Sequence, residues 1–68
     1  MKNYLKEKRE AKGLTQDELA HALNVSRQTI ISIEKGRYIA SLPLALLIAA
    51  YFQSPVENIF KLEKENKK

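Results

Sequence analysis

The stretch Leu14–Gly36, LTQDELAHALNVSRQTIISIEKG, constrains the fold most, because it holds the start and stop signals of two short helices a few residues apart. Leu19, Ala20 and Leu23 recur on one face of a predicted helix over Gln16–Leu23. Thr15 stands at its N-cap with Glu18 three residues on. That is the spacing of a capping box, in which hydroxyl and carboxylate each satisfy a free backbone N–H. A second helix is predicted over Arg27–Lys35, capped by Ser26 and stopped by Gly36. Ile30, Ile33 and Glu34 share its inner face. Only Asn24, Val25 and Ser26 lie between the two, so the connection is a tight turn.

Two helices joined this closely make a helix-turn-helix, whose second helix enters the DNA major groove. TQDELA, NVSRQTI and IEKG together resemble the Cro/CI-type helix-turn-helix family, also called the xenobiotic-response-element family. The later ASLPLALLIAAYFQSPVENIF is similar to that family's last two helices, so the resemblance covers roughly residues 2–60. It implies an all-α fold, a compact five-helix, lambda-repressor-like DNA-binding domain. The expected organisation is one domain over 1–60, with the helix-turn-helix at about 16–35, and a charged tail over 61–68.

Composition narrows the alternatives. A chain of 68 residues is one domain with a small core. It has no cysteine, hence no disulfide or thiolate metal site, which fits a cytoplasmic location. Met1–Lys12 is charged and lacks the apolar run of a signal peptide. A net charge of +4 suits a polyanionic partner. His21, the lone histidine, falls on an outer face without nearby ligands, so no metal or cofactor is expected. The carboxylates Asp17, Glu18 and Glu34 are taken up by helix starts and an ion pair, and no nucleophile–base set can be assembled. The chain does not read as an enzyme.

Asn3–Lys12 is predicted as the first helix, with Tyr4, Leu5 and Ala11 as its apolar residues and Gly13 as its stop. Arg9 lies one turn after Leu5 and faces inward. Either it snorkels to the surface, or it pairs with Glu34, because two inward charges of opposite sign answer one another. The resemblance implies the second, a structural pair of Arg9 with Glu34. Gln16 opens its helix where free N–H groups favour an anion, and the resemblance gives it a phosphate contact.

At about 100° per residue, the helix over Arg27–Lys35 turns Gln28, Ser32 and Lys35 outward, with Arg27 and Ile31 flanking. Gln can bond adenine, Arg can bond guanine, Ser can bond either, and an outward Ile can meet a thymine methyl. Arg27, Gln28, Ile31 and Ser32 are therefore the expected base-reading set, though Arg27 can instead grip a phosphate. Ser26 can serve both its cap and a phosphate, and Thr29 falls between core and groove edge. The resemblance places Lys35, Arg37 and Tyr38 at the DNA backbone beyond the groove. Ile39-Ala40 departs from the family, which often has Asn-Pro there.

Ser41 caps a fourth helix with Pro43 in its first turn. Leu42–Phe52 is almost continuously apolar but short of the ~20 residues that span a membrane. The expected core set is Leu42, Ala45, Ile48, Ala49 and Phe52, leaving Leu44, Leu47 and Tyr51 to be covered by the last helix or by a second copy of the chain. Ser54-Pro55-Val56-Glu57 has the spacing of another capping box, opening a fifth helix whose Val56, Ile59 and Phe60 face core or partner. Phe60-Lys61-Leu62 can leave it as a short extended segment. Small relatives sometimes dimerise through this region, so Leu47, Tyr51, Val56, Ile59, Phe60 and Leu62 are the expected dimer surface. Lysines of the tail can add non-specific attraction to DNA.

The expected function is sequence-specific transcriptional regulation by a homodimer, most simply a repressor reading a near-palindrome in double-stranded DNA. The alternative is an antitoxin-type protein that also binds a partner protein.

Overall fold

The computed structural model describes residues 1–62. Four α-helices carry the fold: α1 (Leu5–Ala11), α2 (Gln16–Leu23), α3 (Arg27–Glu34) and α4 (Leu42–Phe52). The expected fifth helix is a single 3₁₀ turn over Val56–Asn58. Two short strands, β1 (Lys2–Asn3) and β2 (Phe60–Lys61), pair antiparallel and join the two ends of the described chain. Residues 63–68, most of the expected tail, lie outside the described residues, and Lys61 belongs to the strand pair.

Local chemistry sets each boundary. Both bonds of the Thr15–Glu18 capping box are made, at 3.0 Å to the Thr15 hydroxyl and 2.8 Å to the Glu18 carboxylate. Ser26 Oγ accepts the Thr29 N–H at 3.2 Å, and Ser41 Oγ accepts the Leu44 N–H at 3.3 Å. The helices also end alike. After each stands a residue of positive φ, Gly13, Asn24, Gly36 or Gln53. The next N–H then reaches back five residues: Leu14 to Arg9, Val25 to Ala20, Arg37 to Ser32 and Ser54 to Ala49, at 3.0–3.1 Å. This is the Schellman closure, which satisfies carbonyls the helix leaves free.

α3 ends at Glu34 with Lys35 as its C-cap, one residue earlier than expected, and two other elements differ more. The first helix starts at Leu5, not Asn3, and its C-cap is Lys12. Residues 2–3 pair with 60–61, the Tyr4 N–H donates to the Ile59 carbonyl at 2.8 Å, and Asn3 Oδ1 supplies the acceptor for the Leu5 N–H. The Ser54–Glu57 capping box does not form: Pro55 precedes the 3₁₀ turn and no side chain caps it. Three residues of 3₁₀ geometry then hand over to the strand.

The core is a single cluster of Leu5, Leu19, Ala20, Leu23, Ile30, Ile33, Ile48 and Ile59, so every α-helix contributes to it, as does Ile59 just after the 3₁₀ turn. Leu14, Val25, Leu44, Ala49, Tyr51, Phe52 and Phe60 pack around it. Leu42, expected inside, is 70% exposed. Among the described residues, the first turn of α4 is covered on the side of Leu44 and Ala45 and open on the side of Leu42. Leu42 instead lines an open apolar groove of about 270 Å³ with Met1, Ile39, Ala45, Val56 and Phe60.

Candidate nucleic-acid interface

The outer face of α3 is held from behind. Ile30 and Ile33 are fully buried, which fixes the roll of the helix about its axis. Arg27 and Gln28 are therefore exposed, and Ile31 and Ser32 half-buried at the rim. Gln28 Nε2 lies 3.5 Å from Ser32 Oγ, one turn along, so the two present adjoining hydrogen-bonding groups. Ser26 and Thr29 share a hydroxyl–hydroxyl bond of 2.9 Å at the start of α3.

The loop after α3 folds back beside this face. The N–H groups of Arg37 and Tyr38 both donate to the Ser32 carbonyl, at 3.0 and 3.3 Å. Tyr38 thereby joins Ser26, Gln28, Thr29 and Ser32 around a concave site of about 250 Å³. Lys35 and Arg37 are exposed at its far end and Arg27 at its near end. Among the described residues none of these three cations enters an ion pair.

Behind the face, three helices are tied by a buried polar cluster. Arg9 Nε donates to Glu34 Oε2 at 2.7 Å and Arg9 Nη2 to Glu34 Oε1 at 3.3 Å. Arg9 Nη1 donates to the Leu14 carbonyl at 2.7 Å. The Glu34 side chain is only 5% exposed. The hydrogen bond to Glu34 is the chief cause that holds Arg9 above its ordinary pKa, against a lowering by burial. Gln16 adds a third member, donating Nε2–H to Glu34 Oε1 at 3.1 Å. The helix-start position of Gln16 points to a phosphate and gives no sign of Glu34. Spacing between neighbours in sequence carries no sign of a contact to a residue on another helix.

The expected dimer residues divide. Leu47 (48% exposed) and Leu62 stand in solvent. Tyr51 packs on the core and meets Phe52 edge-on at 5.1 Å, with Lys12 Nζ 5.6 Å from its ring centre. Val56 and Phe60 line the apolar groove. Ile59 is fully buried and has no surface to offer a partner, because its side chain closes the core beneath the strand pair. Leu46 (53% exposed) and Ile39 complete an apolar surface that the helical wheel did not single out. On a helix apolar all round, periodicity cannot tell the covered arc from the open one. His21 is exposed beside Asp17, Glu18 and Arg27, and no group of three metal-ligating side chains occurs among the described residues. None of the described helices is long and apolar enough to cross a membrane.

Short capped helices α2 and α3, a left-handed Asn24 turn between them and an outward polar face on α3 define a helix-turn-helix protein. A helix-turn-helix family model matches residues 5–59, and the chain belongs to the Cro/CI-type helix-turn-helix family. It is 54% identical over 65 residues to an HTH-type transcriptional regulator of Methanocaldococcus jannaschii, covering 96% of this chain and 98% of that one. It is 47% identical over 66 residues to one of Bacillus subtilis, covering 97% of this chain and 100% of that one. A third such regulator, from Methanothermobacter thermautotrophicus, is 48% identical over 69 residues, both chains being covered in full.

Proposed function

We propose that the chain is a DNA-binding transcriptional regulator, a homodimeric repressor that reads a near-palindromic operator through the major groove. One observation carries this reading: buried Ile30 and Ile33 lock α3 so that Arg27, Gln28, Ile31 and Ser32 share its open side. In a major groove these supply guanine, adenine, thymine-methyl and general hydrogen-bond contacts. Ser26, Lys35, Arg37 and Tyr38, at the two ends of that face, take the phosphates. Gln16 has a second amide N–H for one as well, while Glu34 holds the first. Such contacts position without specifying.

A domain of this size reads a few base pairs, and a two-fold pair reads two half-sites about 34 Å apart. Exposed Leu42, Leu46 and Leu47 on α4, with the groove beside Val56 and Phe60, support dimerisation, since a contiguous apolar surface of this kind marks an interaction site. Occupation of a promoter then blocks transcription.

The test is enrichment of bound duplexes from a random pool at near-physiological salt, with sedimentation of the free protein at tens of micromolar. A two-fold symmetric motif and a dimeric mass are expected. Isolated half-sites with a monomeric mass would remove the dimer, and salt-sensitive binding without any motif would remove base reading.

A further inference from the structure

Asn3 lies outside the helix-turn-helix, yet its side chain reaches the recognition helix. Asn3 Nδ2 donates to the Ile33 carbonyl at 2.8 Å, one residue before the end of α3. Asn3 Oδ1 accepts the Leu5 N–H at 3.1 Å, and its backbone pairs in register with Phe60. One amide thus touches the start of α1 and the end of α3 while standing in the terminal strand pair. The Ile33 carbonyl also accepts the Gly36 N–H at 2.9 Å, so both its lone pairs are engaged. Among the described residues no other hydrogen bond joins the ribbon to this end of α3. An open cleft of about 370 Å³ lies between them, lined by Met1, Lys2, Asn3, Glu34, Lys35 and Gly36. The last turn of α3 is therefore held on one side by the Arg9–Glu34–Gln16 cluster and on the other by Asn3.

We propose that Asn3 is a positioning residue for DNA recognition: its amide fixes the last turn of α3 to the terminal ribbon, and so sets where Ser32, Lys35 and the Arg37–Tyr38 loop meet the duplex. This rests on the regulator reading above. A helix end whose carbonyls lose a partner frays. A face that is only partly in its binding orientation loses apparent affinity in proportion.

Two neutral substitutions separate this role from stability. Asn3→Ser keeps a short acceptor for the Leu5 N–H but cannot reach Ile33, whereas Asn3→Ala loses both bonds. Operator affinity, discrimination at each base pair and amide exchange at Gly36 and Arg37 are compared at a temperature where all three proteins are fully folded. Asn3→Ser is expected to melt closer to wild type than Asn3→Ala, yet to bind the operator roughly three- to tenfold more weakly, the scale of one lost hydrogen bond. Its discrimination falls at the base pair under Ser32 and not at that under Gln28, and the Gly36 amide exchanges faster. Operator binding within twofold of wild type overturns the proposal. So does a loss that is uniform over base pairs and tracks the melting temperature. Wild-type protein that prefers no sequence overturns the regulator reading and with it the role in base reading, while the exchange rates, measured without DNA, still judge the brace itself.

Discussion

Replacing Glu34 by alanine leaves the Arg9 guanidinium, whose side chain is 10% exposed, with only the solvent-exposed Glu10 carboxylate, 4.0 Å away. Two Arg9 bonds disappear, and Gln16 Nε2–H loses its acceptor. Because both partners are almost out of solvent, screening gives little relief. Breaking such a pair from one side costs about 3–5 kcal/mol, most of it the penalty of an unpaired buried charge. A domain of this length is stable by about 3–10 kcal/mol in all. The substitution is therefore expected to lower the melting temperature by at least about 12 °C at roughly 4 °C or more per kcal/mol. Circular dichroism melts and guanidinium titrations at 25 °C, with Arg9→Met and the double variant completing a cycle, measure it. The double variant is expected to be less damaged than the sum of the two, since neither charge is then alone. A Glu34→Ala protein melting within two or three degrees of wild type, with additive singles, would refute the argument. The pair would then contribute no more than an exposed one, about 0–1 kcal/mol.

Other substitutions act on the face or on a helix end. Gln28→Ala is expected to lose roughly 1–3 kcal/mol of discrimination at one base pair and to relax specificity there, read by titration of matched and mismatched duplexes. Arg37→Ala is expected to weaken all duplexes alike and to make the slope of log K against log salt shallower by about one, read by titrations at several salt concentrations. Gln53 holds φ at +52°, a conformation that costs a residue with a Cβ about 1–2 kcal/mol. Gln53→Gly is accordingly expected to raise stability by about 0.5–1 kcal/mol after the greater freedom of the unfolded glycine is subtracted. A lower denaturation midpoint would contradict this.

What could be seen in advance follows from where each interaction sits along the chain. Thr15, Glu18, Ser26 and Ser41 act on N–H groups three residues away, so α2, α3 and α4 start where local chemistry starts them. The roll of α3 was legible because Ile30 and Ile33 share one face while Gln28, Ser32 and Lys35 fall on the other, leaving only Ile31 as an apolar residue off the inner face. The orientation of α4 was not, because Leu42, Leu44, Leu46 and Leu47 are chemically alike and only packing selects among them. Strand β1 depends on Phe60 and Lys61 and the Asn3 amide on Ile33, partners distant in sequence that leave no periodic trace at residues 2–3. The same holds for Gln16, whose partner Glu34 lies on another helix.

The ribbon that joins β1 to β2 also imposes an order on synthesis. A ribosome releases α3 first, and Ile59, which closes the core, and Phe60, which pairs with Asn3, emerge only after it. Contacts between distant parts of a chain form only after both parts exist. A product terminated before Ile59 would carry every side chain of the α3 face without the plug and the brace that hold that face in place.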